Sequence, residues 1–138
     1  MNEPILTAEV LVNAPIKKVW ELWTLPEHIK NWNNSSDEWH TPKAENDLRM
    51  GGKLFLQMEK KDGSEAFDYF CTYDEVITNK KIRHTGDDKR KTMISFVETE
   101  AGVKLTETFE PNMDIPLEMQ QAFCQSVLNN FKLYAENM

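Results

Sequence analysis

Between Trp39 and Pro111 the chain is almost entirely strand and turn signals, and that long run decides what can be built from it. Leu54, Leu56 and Met58 alternate after Gly51-Gly52, and Phe67, Tyr69, Cys71 and Tyr73 alternate after Asp62-Gly63, a hairpin signal. Thr78-Asn79-Lys80 turns into a short strand with Ile82 and His84, and Gly86-Asp87-Asp88 into one carrying Ile94 and Phe96. After Ala101-Gly102 come Val103, Leu105, Glu107 and Phe109, with Lys104, Thr106, Thr108 and Glu110 on the opposite side. One sheet face is therefore apolar except for Glu107 and the other is wet, the pattern of an antiparallel meander. An apolar face of that size needs a cover.

The C-terminal segment supplies it. Asp114 can cap a helix there, Pro116 falls in its first turn and Glu118 lies near the positive end of its dipole. At 100° per residue Met119, Phe123, Cys124, Val127, Phe131 and Tyr134 share one side, with Gln120 among them, while Glu118, Gln121, Gln125, Asn129, Lys132 and Glu136 take the other. At the N-terminal end Leu6, Ala8, Val10 and Val12 alternate with Thr7 and Glu9 as a half-buried strand. Asn13-Ala14-Pro15 starts a short helix, with Asn13 as cap, Ile16, Val19, Trp20 and Trp23 inward, and Lys17, Lys18, Glu21 and Thr24 facing water. Pro26 starts a second short helix through Ile29 toward Trp32, and the polar stretch Asn33 to Asp37 breaks it. The expected fold is a single α+β domain over residues 1–138, a curved six- to seven-stranded antiparallel sheet gripping a long terminal helix.

Composition excludes several classes of function. Among 138 residues, 16 Lys+Arg against 23 Asp+Glu give a formal charge of −7, a poor match to a phosphate backbone, so no nucleic-acid partner is expected. The first residues are too polar for a secretory signal and no apolar run approaches membrane length, so a soluble, cytoplasmic protein without a membrane partner is expected. Cys71 and Cys124 sit in apolar patterns as reduced, buried hydrophobes. His28, His40 and His84 are isolated, so neither metal nor cofactor is expected, and Gly51-Gly52-Lys53 reads as a turn rather than a phosphate loop.

Asn13-Ala14-Pro15 followed by Val19-Trp20, Trp23-Thr24, Pro26-Glu27-His28-Ile29 and Trp32, then Asp47-Leu48-Arg49 with Gly51-Gly52-Lys53, closely resembles the family called activator of heat shock protein 90 ATPase homologue. That family belongs to the START-like, birch-pollen-allergen-like helix-grip superfamily, and the likeness extends from Leu6 to Tyr134. Relatives often carry a Gly-Trp pair in the terminal helix, where this chain has Phe123-Cys124. The resemblance implies a helix-grip fold with a cavity between sheet and long helix that holds a hydrophobic small molecule, and it does not imply an enzyme.

The rings Trp20, Trp23, Trp32, Phe67, Tyr69, Tyr73, Phe96, Phe109 and Phe123 either bracket such a void or fill it as ordinary core, together with Leu56 and Val127. Glu107 shares the inward face with Leu105 and Phe109, so it either faces a cavity holding water or a polar ligand group, or sits at a bulge or cavity mouth. Gln120 either orients a ligand or projects past the sheet into water, and Tyr69, Tyr73 and His84 are comparable cavity candidates or core residues with a backbone partner. Lys80, Lys81, Arg83, Lys89, Arg90 and Lys91 gather on one hairpin, either to meet an acidic partner such as a chaperone or to guard a sheet edge. The expected activity is non-enzymatic binding of a hydrophobic small molecule by a monomer or weak dimer. The alternatives are a stress-related co-chaperone using the basic hairpin, and a cyclase- or hydratase-like enzyme pairing Glu107 with Tyr73 or His84.

Overall fold

A computed structural model describes residues 4–34 and 36–138; Met1 to Glu3 and Ser35, the latter inside the polar stretch after the second helix, lie outside the described residues. The chain runs β1 (Leu6–Val12), α1 (Ile16–Thr24), α2 (Pro26–Trp32), β2 (Trp39–Asn46), β3 (Lys53–Lys60), β4 (Ala66–Ile77), β5 (Lys81–Gly86), β6 (Lys91–Thr99), β7 (Gly102–Phe109) and α3 (Leu117–Glu136). The strands form one seven-stranded sheet in the order β1-β7-β6-β5-β4-β3-β2. Every neighbouring pair is antiparallel, so β2 to β7 are a plain meander and only β1 crosses, carried by α1 and α2 from one edge to the other. Register shifts at His40/Lys43 in β2 and Tyr73/Glu75 in β4 mark bulges, which bend a strand and increase its twist.

The alternation read from the sequence holds in the last strand: Val103 and Leu105 are buried against Val12 and Val10 of β1. Gly102 opens β7 at φ 135°, and a Cβ there would lie 2.3 Å from the Val12 carbonyl oxygen, so this turn admits no side chain. Both expected helix caps are corrected. Pro15 and Pro116, with extended backbones, occupy the cap positions, and no side chain of Asn13 or Asp114 caps either helix. Proline fixes φ and lacks the amide hydrogen that a helix start would leave unpaired, so it suffices as a stop for the preceding chain. Thr24, expected in water, is 6% exposed and donates its hydroxyl back to the Trp20 carbonyl at 2.7 Å.

The long helix uses both of its faces. Leu128, Phe131 and Ala135 are fully buried, and Phe131 meets Trp23 and Trp32 edge-on, each with ring centroids 5.0 Å away. Those two indoles stack at 4.5 Å, and Trp32 donates its ring N–H to the Leu22 carbonyl at 2.9 Å. The polar face lies along the open edge of β1. Gln125 exchanges two hydrogen bonds with the Glu9 backbone, at 3.3 and 2.9 Å, as a neighbouring strand would. Gln121 donates to the Thr7 carbonyl, Lys132 to the Leu11 carbonyl at 2.6 Å, and Glu136 accepts from the Asn13 amide at 2.8 Å. These side chains occupy the main-chain groups that an uncovered edge strand would offer to another chain.

Phe131→Ala removes the ring on which all three helices converge, and should cost about 3–5 kcal/mol in urea unfolding; a loss below about 1 kcal/mol would show that the cluster is not the anchor it looks.

Candidate functional site

A cavity of about 590 Å³ lies between the inner face of the sheet and the first half of α3, open to solvent on one side. It exists because Phe131, Leu128 and Ala135 hold the second half of α3 against the core, while the first half spans the bent sheet without filling the space beneath. The residues above it have not been drawn into the core: Met119 is 63% and Phe123 51% exposed, and across the opening Phe67 is 48% exposed. Trp23 and Trp32 close one end, and Leu56, Tyr69, Tyr73, His84, Glu107, Phe109, Gln120 and Val127 line the rest together with Phe67 and Phe123.

Of the residues expected around a cavity, only Trp20 and Phe96 lie elsewhere. Both are buried, and they pack edge-on against each other at 5.1 Å, Phe96 touching Trp23 at 6.3 Å from its other side. They fill the part of the inner face that α1 covers. The wall also contains residues not singled out from the sequence, among them Trp39, Leu54, Met58, Ile94, Met119 and Cys124. All but Trp39 fall on the inward stripes already described. Trp39 starts β2 just before its bulge, where alternation is lost, and meets Phe67 edge-on at 5.6 Å.

The polar groups on the wall divide into those that are tied and those that are not. Tyr73 donates its hydroxyl to Asn46 Oδ1 at 2.7 Å, and Asn46 donates to the Thr24 carbonyl at 2.7 Å, so the phenol serves to anchor β2 and α1. Gln120 lies on the cavity wall, but its amide is already bound to the chain: it donates to the carbonyls of Asn112 and Ile115 at 2.7 and 3.0 Å and accepts from the Asn112 amide at 2.8 Å. It clamps the loop that leads into α3. Glu107, by contrast, faces the cavity beside the Cys124 thiol, and among the described residues no Lys or Arg is paired with it. Burial pushes its carboxyl up to about 7, opposed only by that thiol hydrogen bond. His84 is 8% exposed, its Nδ1 has no hydrogen-bond partner, and burial lowers it to about 4, so the ring is neutral at physiological pH. Burial, with Cys71 and Glu107 nearby, raises Tyr69, which keeps its proton. Glu107 on β7 and His84 on β5 are separated by β6.

Charged residues at the opening are Asp88, Arg90 and Glu110; Arg90 is ion-paired with Asp88, and Glu110 accepts from the Lys91 amide at 2.7 Å. On the basic hairpin Lys81 pairs with Glu75 at 3.0 Å, and Arg83 lies 4.0 Å from the same carboxylate. Both cysteines are free and buried. His28 is bound to the Tyr134 hydroxyl at 2.6 Å, joining α2 to α3. Among the described residues no cluster of His, Cys, Asp and Glu is placed to hold a metal ion, and no helix is long and apolar enough to cross a membrane.

The half-buried carboxyl on the cavity wall has a measurable signature. Because Glu107 binds its proton more tightly in the folded state than at its ordinary value of 4.5, its contribution to stability falls as pH rises from 4.5 to about 7. His84 acts oppositely, losing stability as pH falls from 6.5 toward 4. Glu107→Gln should therefore gain on the parent by on the order of 2 kcal/mol between pH 5 and pH 8, with the His84 effect cancelling in the comparison. A difference that stays flat with pH, read by urea unfolding, would mean that Glu107 is solvated.

Comparison with known proteins places this architecture. A comparison with curated proteins finds no match. The solution NMR structure of an AHSA1-like protein from Aeromonas hydrophila superimposes at a TM-score of 0.92, with 33% identity over 97% of this chain and 93% of that one. A solution structure from Cytophaga hutchinsonii shares 45% identity at a TM-score of 0.84, covering 96% of this chain and 92% of that one. A Staphylococcus aureus protein of unknown function, 14% identical over 99% of this chain and 95% of that one, shares the fold at a TM-score of 0.74. The family model described as activator of Hsp90 ATPase homolog 1-like protein matches residues 13–136, from the turn before α1 to the last residue of α3, and the chain belongs to that family.

Proposed function

We propose that this chain is a non-enzymatic binding protein for a hydrophobic small molecule, held in the cavity between the sheet and α3. The observation that carries the reading is the cavity itself. At about 590 Å³ it has the size of known small-molecule sites, and its walls follow their pattern, mostly apolar with a few placed polar groups. Exposed Phe67, Met119 and Phe123 at its opening support the reading further, since large apolar side chains left in water around a concave site gain contact when a ligand enters. Glu107 and His84, on strands with β6 between them, do not form a hydrogen-bonded acid–base pair, which favours binding over catalysis.

Native mass spectrometry of protein purified from cells should find an apolar molecule bound at one per chain, and Val127→Trp, which places a large ring on the wall, should abolish its retention while the fold persists by circular dichroism. A wild-type protein that is empty by native mass spectrometry and excludes added apolar probes would remove the reading.

A second proposal follows from the family's description: contact with an Hsp90-class ATPase through the hairpin of β5 and β6. Exposed Arg83, Lys89 and Lys91 support it. Adding this protein to the chaperone of its host should raise the ATPase rate, and added salt should reduce the effect. No change at saturating concentration would exclude it.

A further inference from the structure

We propose that the cavity selects hydrophobic amines, the protonated amino group meeting Glu107 and the apolar body lying against the ring-lined walls. This deepens the binding reading above and stands only with it. The argument begins with what each inward polar group already holds. The Tyr73 hydroxyl and the Gln120 amide are spent on Asn46 and on the loop before α3. Glu107 has only the Cys124 thiol, and His84 Nδ1 has nothing. A carboxylate facing an apolar space without a counter-charge is costly, and a cation brought by the ligand removes that cost.

The charge balance around the opening points the same way. Among the described residues lining the cavity, Glu107, Asp88 and Glu110 are acidic and Arg90 is the one fixed cation, already engaged by Asp88. Their field favours a positive ligand and opposes an anionic one. The walls agree with the charges: Trp23, Trp32, Tyr69, Tyr73, Phe109 and Phe123 surround the space, and aromatic faces attract ammonium groups. A hydrophobic alcohol would find the same walls but leave Glu107 uncompensated. A fatty acid would place a second carboxylate beside the first. Only the amine satisfies rings and carboxylate together, with His84 Nδ1 left as a further hydrogen-bonding position for a polar group on the ligand.

The test compares octylamine, octanol and octanoate, equal in chain length, by isothermal titration and by quenching of tryptophan fluorescence at pH 8. Octylamine is expected to bind at least about tenfold more tightly than the other two. In Glu107→Gln, checked for folding by circular dichroism, that preference should vanish while octanol affinity stays. The parent protein gives an independent readout. Octylamine is protonated at pH 5 and pH 8, so protonation of Glu107 should weaken its binding about tenfold or more at pH 5 while octanol is unaffected. Of the other titratable groups on the wall, Cys124, Tyr69 and His84 stay neutral over that range, and whatever His40 and Glu110 contribute is present equally in Glu107→Gln, so the Glu107 effect is the part of the pH dependence that this variant loses. Octanol binding as tightly as octylamine, or octanoate doing so, would overturn the amine proposal and leave the cavity reading standing. Failure of all three to bind would overturn both.

Discussion

The meeting of Trp23, Trp32 and Phe131 is the contact on which the rest of the molecule depends. Each ring comes from a different helix, and together they fix α1, α2 and the far half of α3 at one point against the sheet. Ring pairs of this kind add something like 0.5–1.5 kcal/mol each beyond the area they bury. Their placement also sets the geometry of what lies beyond. Because α3 is pinned at its C-terminal half, its N-terminal half extends over the bent sheet with nothing beneath Met119 and Phe123 to pack against. The cavity is the space between the first half of α3 and a curved sheet, bounded on one side by the rings that hold them together.

The same helix solves a second problem. A sheet in which β1 and β2 are the outer strands leaves main-chain groups of β1 open to pairing with another chain. Gln121, Gln125, Lys132 and Glu136 close that edge with side-chain amides, an ammonium and a carboxylate, so that α3 behaves toward β1 as a strand would. Its buried stripe supplies cohesion and its polar stripe supplies pairing. This division explains why a helix with so many polar residues can sit tightly on the domain.

Much of this was legible in the sequence, and the parts that were not share one cause. Strand alternation from Leu54 to Phe109 is a local property, so the sheet and its inward face could be read directly, including the anomalous Glu107. The inward face does not announce which of its portions lies under α1 and which under the open half of α3, and this is why Trp20 and Phe96 belong to solid core while Tyr69 and Phe109 face the cavity. Helical arithmetic placed Gln120 correctly beside Val127, but its partners are backbone groups of a loop with no period to read. Gln125 shows the same limit from the other side of the helix: its place on the polar stripe is periodic and readable, but its partner, the backbone of an edge strand distant in sequence, is not. Trp39 escaped because a bulge interrupts β2 immediately after it.

Fold alone does not distinguish this chain from relatives that share the architecture at low identity, so what it does must come from the few groups the architecture leaves unspent. Here the contrast between Tyr73 and Glu107 is instructive. Both point inward, yet Tyr73 is committed to holding Asn46, and through it the end of α1, so changing it would alter the shape of the wall. Glu107 holds no element in place: Val103 and Leu105 bury β7, and the backbone pairs it to β1 and β6 without help from the carboxyl. A side chain that costs stability when charged, touches α3 only through the Cys124 thiol and faces an open apolar space contributes little to holding the fold. Under the binding reading proposed above, its carboxyl is the group left available to whatever enters the cavity.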